Sequence, residues 1–593
     1  QDAAILGQSF TIHGLVAVTG HDREDLEPRL RDLTKKEFLS LDVDPRSPER
    51  GQYSFVQGLI REVASSTVGR ADRRAKHLAA AHHFESLDDE GFAGVVAAHY
   101  VEAHLASTSG PDADALAARA RDWLSRGAER AMSLGSPEQA LAFIDKALSL
   151  TPVESGRVPL LLLAGEAADR AGSFDRAAVH LEEAIGISNA AGDSAGAALG
   201  AARLAGTFDK LGKHADAIER MERALAAVPA DADEQTLVEL FTALAFANGS
   251  TGSQERALQW AERALPLAER LDRMDLLARA IGIKGFALFN LGRHQEGLIL
   301  ARGSLALAER SGSLKDQAYA FLTLGSYLAD DDPRGALDAW RRAAEMAIRA
   351  GEREAERIAL LNTAEAAVDH GEWAQARAAL DTLAEAKLSE RQGFVLASYD
   401  AMLTALQGDQ AGAAELLRTS AKARQNEHIH FRAIHARASA VVALACGRFE
   451  EAYAEAMEAV AVDPAGINSP VALYAASRAG LWLRDQEKIR TALTGLESFS
   501  GAWTAAVRRT AEAGLAALDG RLDVAARSYS EAIAAWRKLD SPLDVALCEL
   551  DFATFVPGDD EADAAAEHAR TVFERLGAIP LLERLGDHVS TSG

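Results

Sequence analysis

The sequence predicts an all-α fold: a solenoid of helical hairpins preceded by a small helical module with a short β-hairpin. The first observation behind this is a spacing. In "LGKHADAIERMERALAAVP", residues 211–229, Gly212, Ala217, Ala224 and Pro229 stand at intervals of five, seven and five. Gly135, Ala140, Ala147 and Pro152 repeat the frame, as do Gly447, Ala452, Ala459 and Pro464. The second is composition: 48% hydrophobic residues with only 6% aromatic suits thin helix-on-helix layers of Ala and Leu. The third is the scarcity of β-branched runs beyond residue 70, with 15 prolines in all, which argues against a large sheet.

A length of 593 residues exceeds what one core organises, and the repeat decides for a solenoid over separate globular domains. Taken in order, residues 2–6, 13–18 and 22–38 read as three short helices, the third with Leu26, Leu30, Leu33 and Phe38 on one side. "LSLDVD" and "GQYSFVQ" then alternate apolar and polar residues around a "PRSPERG" turn, which predicts a hairpin. Three helices and a β-hairpin are the outline of a winged helix. The expected division is a winged-helix-like connector at 1–70, linking helices at 71–114, about eleven hairpins at 115–575, and a cap and tail at 576–593.

The repeat has a physical reading. Small residues at a crossing let two antiparallel helices approach, a glycine in the left-handed region ends the first, and a proline cannot continue the second. Looser copies follow at Gly172, Gly252, Gly371, Gly408 and Gly520. Gly292 leads a degenerate copy with Gly297 and Ser304, and "DDDPRGALDAWRRAAEMA" keeps the seven-residue step between Ala336 and Ala343 with a turn residue missing. First helices carry a matching small or Leu-small pair at Gly165, Leu204 with Ala205, Leu244 with Ala245, Gly285, and Leu324 with Gly325. Over roughly residues 115 to 575 this pattern resembles the tetratricopeptide repeat, which implies a right-handed solenoid. It departs from that family in lacking the usual aromatic near the start of each first helix. Its turn-to-turn spacing is about 37 to 40 where the standard repeat has about 34.

Three stretches of the first 130 residues, "ILGQSF" (5–10), "YSFVQGLIREVASSTV" (53–68) and "RADRRAKHLAAAHHFE" (70–85), resemble the region after the ATPase core in bacterial signalling ATPases of the STAND class. Gln57 stands where those relatives tend to carry His, and Ser65 where they tend to carry an aromatic. The resemblance implies the regulatory arm of a signalling ATPase, of the kind fused to an adenylate or guanylate cyclase or a transcriptional-regulator domain. A stand-alone scaffold for protein interaction, or the arm of an ATP-dependent transcriptional regulator, fits the repeats as well. The chain begins with Gln1 rather than Met, so a longer parent is expected.

No GxxxxGK[ST] loop and no cyclase-type aspartate pair occurs, so no enzyme is expected within the chain, and ATP with magnesium is implied only for an upstream domain. The net charge of −25 and pI of 5.1 disfavour phosphate-backbone binding, and the third helix is itself slightly acidic, so no nucleic-acid partner is expected. Cys446 and Cys548 read as buried reduced thiols; with no secretion leader and no bilayer-length apolar run, the chain is expected in the cytoplasm without a membrane partner. His428, His430 and His435 cluster in "EHIHFRAIH" but lack further ligands, so no metal is expected.

Two candidate sites remain. Carrying the repeat frame onto first helices places Phe246, Phe286, Phe289, Asn290, Tyr319 and Met402 on a concave groove, with Arg279 and Glu365 as polar partners. Such a groove suits a protein or peptide, or a small-molecule effector. The same positions equally suit packing against a neighbouring helix. Arg70, Arg73, Arg74 and Lys76 form a basic cluster in an acidic chain, either a solvated helix face or a docking patch for the upstream ATPase domain.

Overall fold

The computed structural model describes residues 1–42, 51–152, 156–229, 233–386, 388–425, 429–464 and 468–591. The chain divides into two compact units: unit one holds 1–283 with 348–353, and unit two holds 284–347 with 354–593.

Unit one opens with α1 (Asp2–Leu6), β1 (Ser9–Phe10), α2 (Ile12–Thr19), α3 (Arg23–Lys35), β2 (Leu39–Leu41), β3 (Tyr53–Phe55) and α4 (Gly58–Ser66). The strands form an antiparallel sheet in the order β1-β3-β2, with Phe10 opposite Tyr53 and Leu39 opposite Phe55. Phe10 stacks on Tyr53 at 5.7 Å, over a core that includes Leu6, Leu15, Leu26 and Leu30. Two expectations are corrected. α3 stops at Lys35, after which Glu37 takes a left-handed φ of 59° and Phe38 leaves the helix and is exposed; Leu33, still within α3, is exposed as well, so the buried side is Leu26 and Leu30. β1 went unforeseen because two residues carry no readable alternation. Most of the expected "PRSPERG" turn lies outside the described residues.

α5 (Arg70–Glu85) and α6 (Ala93–Leu105) lead into the repeats. The helix pairs are α7 (Pro111–Ser133) with α8 (Pro137–Ser149), α9 (Arg157–Arg170) with α10 (Phe174–Ala190), α11 (Ser194–Lys210) with α12 (His214–Ala227), and α13 (Glu234–Ser250) with α14 (Gln254–Arg270). They continue with α15 (Met274–Asn290) and α16 (His294–Ser311), α17 (Leu314–Leu328) and α18 (Pro333–Ala350), α19 (Arg353–His370) and α20 (Trp373–Ala384), and α21 (Glu390–Leu406) and α22 (Gln410–Thr419). The last are α23 (Ile429–Ala445) with α24 (Phe449–Val462), α25 (Asn468–Trp482) with α26 (Gln486–Leu496), α27 (Ala502–Leu518) with α28 (Leu522–Lys538), α29 (Pro542–Phe555) with α30 (Asp560–Leu576), and a terminal α31 (Ile579–Thr591). This is an all-α, tetratricopeptide-like solenoid fold. Among the described residues no helix is long and apolar enough to cross a membrane.

The frame works as its spacing requires. Ala140, Ala177, Ala257, Ala376, Ala413, Ala452 and Ala525 are fully buried at the crossings, and Ala147, Ala184, Ala264, Ala343, Ala459 and Ala532 are fully buried one frame step later. At Gly212, with φ 74°, the amide donates to Asp209 O while Lys213 N reaches Phe208 O at 2.7 Å, a Schellman end to α11. The three proline-bearing copies have second helices of 13 or 14 residues, α8, α12 and α24, whereas α10 and α14 each run 17. From α7 to α30 there are twelve helix pairs among the described residues, where the frame counts about eleven. The α25–α26 turn escaped because Arg484, at φ 56°, takes the left-handed position instead of glycine. Cys548 is buried, and burial pushes its thiol far up; Cys446 is half-buried, not buried as the sequence implies.

Close approach is testable at Gly325, where an added Cβ would sit 2.5 Å from Trp340 Nε1. Gly325→Ala is expected to destabilise unit two by about 2 kcal/mol, since a ring cannot yield as a flexible tail would. Gly186→Ala, with nothing within 4 Å, is expected to stabilise unit one by up to about 1 kcal/mol. Thermal unfolding of both variants checks the contrast, and equal shifts would contradict it.

Candidate functional site

The groove residues fall in both units. In unit one, Phe246 on α13 is 44% exposed and Arg279 on α15 is exposed. In unit two, Phe286 is exposed, and Asn290 spends its amide on the Phe286 carbonyl at 2.8 Å, one turn back in α15. Phe289 is half-buried, flat against Tyr327 at 4.0 Å and stacked on His294 at 4.7 Å, so its ring faces are used in packing. Tyr319 is half-buried on α17. Met402 offers no groove surface: it is 1% exposed in the same apolar cluster as Leu403, Ile434, Leu550 and Leu581. That cluster draws on helices late in the chain, α29 through Leu550 and α31 through Leu581, and the repeat frame holds no sign of this.

Glu365 is engaged inside unit two. Arg437 on α23 is 1% exposed and donates to Glu365 and Asp369 on α19, and to Asn468 Oδ1 at 3.3 Å. Burial pushes the Asp369 carboxyl up against the pull of Arg437, and the two carboxylates hold that guanidinium charged although burial opposes it. The Tyr399 hydroxyl is driven up by burial and by the neighbouring Glu365 charge. A second inward guanidinium, Arg478 on α25, makes a two-point contact with Asp551 on α29, both bonds 3.1 Å, and Trp482 Nε1 donates to the same carboxylate at 3.0 Å. On α29, Glu549 lies 2.5 Å from His568 Nδ1 and accepts from Arg537 at 2.9 Å. These pairs went unread because "HARASA" and "ASRAGL" look like ordinary exposed arginines on helices.

A cleft of about 190 Å³ in unit two is lined by Arg334, Leu337, Asp338, Arg341, His370, Glu372 and Asp540, among others. Its cations are partnered: Arg334 with Asp540 at 2.7 Å, Arg341 with Asp338 at 2.6 Å, and His370 with Ser541 Oγ at 3.0 Å. The cleft is thus lined by paired charges.

The basic cluster is likewise committed. Arg70 donates to the Ala106 and Ser107 carbonyls just past α6, and Arg73 to the Ser65 and Val68 carbonyls around the end of α4. Arg74 reaches Ser107 Oγ at 3.0 Å, and Lys76 pairs with Asp2. Helix C-termini carry unpaired carbonyls and partial negative charge, so these side chains tie α5 to two neighbouring helix ends.

Beside them, His77 and His99 face each other through their Nδ1 atoms at 3.0 Å, with His99 stacked on Phe84. Burial holds both rings down to about 4, helped at His77 by Arg73 and at His99 by His77. His435 is held down to about 4 by burial and meets Ser420 Oγ at 3.0 Å; His428 lies outside the described residues. Among the described residues no three His, Cys, Asp or Glu side chains gather as a metal would need.

No protein-family model matches the chain, and no curated protein matches it. Solved structures do resemble it. A signal transduction ATPase with numerous domains, carrying a tetratricopeptide repeat sensor, from Pyrococcus horikoshii, aligns over 82% of this chain at 13% identity with a TM-score of 0.31. This chain spans 60% of that protein's length. Yeast Tom70 aligns over 79% of this chain and 96% of its own at 12% identity, TM-score 0.30. A Rap protein, solved with competence and sporulation factor, aligns over 66% and 97% at 13% identity, TM-score 0.35. At such identities no residue role transfers.

Two outcomes are expected. Arg437→Ala leaves Glu365 and Asp369 without their cation and should cost about 3 kcal/mol, whereas removing all three charges together should cost less; calorimetry of the single and triple variants decides. The neutral His77 and His99 rings would take up protons on unfolding below pH 6.5. Their contribution to stability is therefore full above pH 6.5 and falls towards pH 4, on the order of 1 kcal/mol per pH unit per ring. Urea midpoints at pH 7 and pH 5 should converge in His99→Phe relative to the parent; an unchanged gap would contradict this.

Proposed function

We propose that the chain is the partner-sensing repeat arm of a larger signalling ATPase and captures a protein or peptide on the first-helix face of unit one. The observation that carries this is Phe246: an aromatic ring 44% exposed at a first-helix position, in a chain with few aromatics. The corresponding face further along, in unit two, is filled by the chain's own later helices and inward ion pairs. An exposed ring on that face suits an apolar anchor side chain of a bound peptide.

The N-terminal order of helix, strand, two helices and two strands, paired β1-β3-β2, supports reading residues 1–70 as a winged-helix-like connector to an upstream ATPase. Glu27 lies 2.7 Å from Arg23 and 3.9 Å from Arg31, which supports a packing role for α3 over a DNA-reading one. Signal transfer then needs a partner whose affinity differs between two arm conformations.

A photoreactive amino acid at position 246, compared with one at position 179, tests the face in the parent cell. Val179 is 62% exposed but sits on a second helix, α10. A discrete adduct at 246 and none at 179 is the expected result. Equal adducts at both positions, or none at 246, would remove the groove assignment.

A further inference from the structure

Three stretches of unit two that lie far apart in the sequence meet at the cleft of about 190 Å³. α18 presents Pro333, Leu337 and Arg341, four residues apart and so on one face, while the α19–α20 turn brings His370, Glu372 and Gln375 and the α28–α29 turn brings Asp540. The two turns are closely joined, since a Cβ on Gly371 would sit 3.0 Å from Leu543 Cβ. Asp540 holds the left-handed position, φ 52°, that Gly192 and Gly312 hold at the equivalent turns of other pairs. This turn therefore keeps a carboxylate where glycine is the relaxed choice.

The charge pairing in the cleft leaves one carboxylate over. Arg334 is answered by Asp540 and Arg341 by Asp338. His370 is answered by the buried Asp544 through Ser541, whose Oγ lies 3.0 Å from His370 Nδ1 and donates to Asp544 Oδ2 at 2.6 Å. Glu372 has no such partner. It is the N-cap residue of α20, yet its side chain makes no cap hydrogen bond, and among the described residues its carboxylate enters no ion pair. The Gln375 side-chain amide is free in the same sense, and Asp540 spends only Oδ2 on Arg334. Acceptor oxygens from Glu372, Gln375 and Asp540 thus border a wall made by the buried Pro333 and Leu337.

An anion entering here would have to displace Asp338 or Asp540 from an arginine, in a chain of net charge −25. A cation displaces nothing and meets the carboxylate left over. The cleft is smaller than the roughly 300–1,000 Å³ of pockets that enclose a whole drug-sized ligand, so it takes one side chain while the rest of its owner stays outside. A guanidinium brings five N–H donors in one plane, and its stem is apolar enough to lie on Leu337.

We propose that this cleft is the docking site for an arginine side chain of a partner protein, with Glu372 as its two-point carboxylate and Gln375 and Asp540 as flanking acceptors. The site lies wholly in unit two, so neither Phe246 nor an upstream domain enters the argument, and the position-246 cross-link and the experiment below fail independently.

The experiment is a saturation-transfer NMR titration of the full chain with N-acetylarginine amide, which carries a guanidinium as its one charge. Saturable binding at about millimolar concentration is expected, as suits a single charge-assisted contact. Glu372→Gln, an exposed position, is expected to weaken it roughly tenfold, and Glu385→Gln, at the far end of α20, to leave it unchanged. No saturable binding to the parent chain, equal affinity in Glu372→Gln, or equal binding of the uncharged N-acetylcitrulline amide overturns the proposal. Free arginine binding at least tenfold tighter than the blocked probe would assign the cleft to a small-molecule effector and overturns the partner reading. Inorganic phosphate binding that Arg341→Gln abolishes would make it an anion site and overturns it as well.

Discussion

Two helices share a layer only where their crossing carries no bulk, and both units of this chain rest on that constraint. Alanine buried at one frame position after another sets the separation in most pairs, and where a helix approaches still closer the residue is glycine, as at Gly165 under Leu181 and Gly325 under Trp340. Each such contact removes little apolar surface, so cohesion comes from repetition. Larger side chains gather where the layers part, most visibly where Trp503, Trp536 and Tyr474 meet with ring centres 5.8 Å apart.

What could be read in the sequence follows from this. A crossing is local, so its small residues recur at fixed spacing and the hairpins announce themselves through Gly212, Ala217 and Ala224. A return of the chain is not local. Nothing around Met402 says that helices more than a hundred residues later will cover it, nor that Arg437 and Arg478 will point inward at carboxylates on other repeats. The frame places Phe246 and Met402 alike on first helices, yet one is 44% exposed and the other 1%. Arg484 shows a smaller failure of the same kind, a left-handed turn made without the residue that normally marks it.

Charge is used at helix ends and inside the stack more than as a patch. The basic face of α5 neutralises carbonyls beyond α4 and α6, which explains why a cluster conspicuous in an acidic sequence leaves its arginines with internal partners. In unit two the same economy is turned inward, with guanidinium groups bridging α19 to α23 and α25 to α29.

Those bridges change how unit two can fold. An ideal repeat array is a one-dimensional chain of neighbours, able to fray from either end one repeat at a time. Arg437 reaches back 72 residues to Glu365, His370 reaches forward 171 to Ser541, and Arg584 reaches back 140 to Leu444. Contacts over such distances form only after much of the intervening chain is ordered, which raises contact order and slows nucleation. Unit two therefore behaves less like a spring of independent coils than like a closed hoop. Damage at one point then costs contacts far along the chain, and its repeats are expected to melt together.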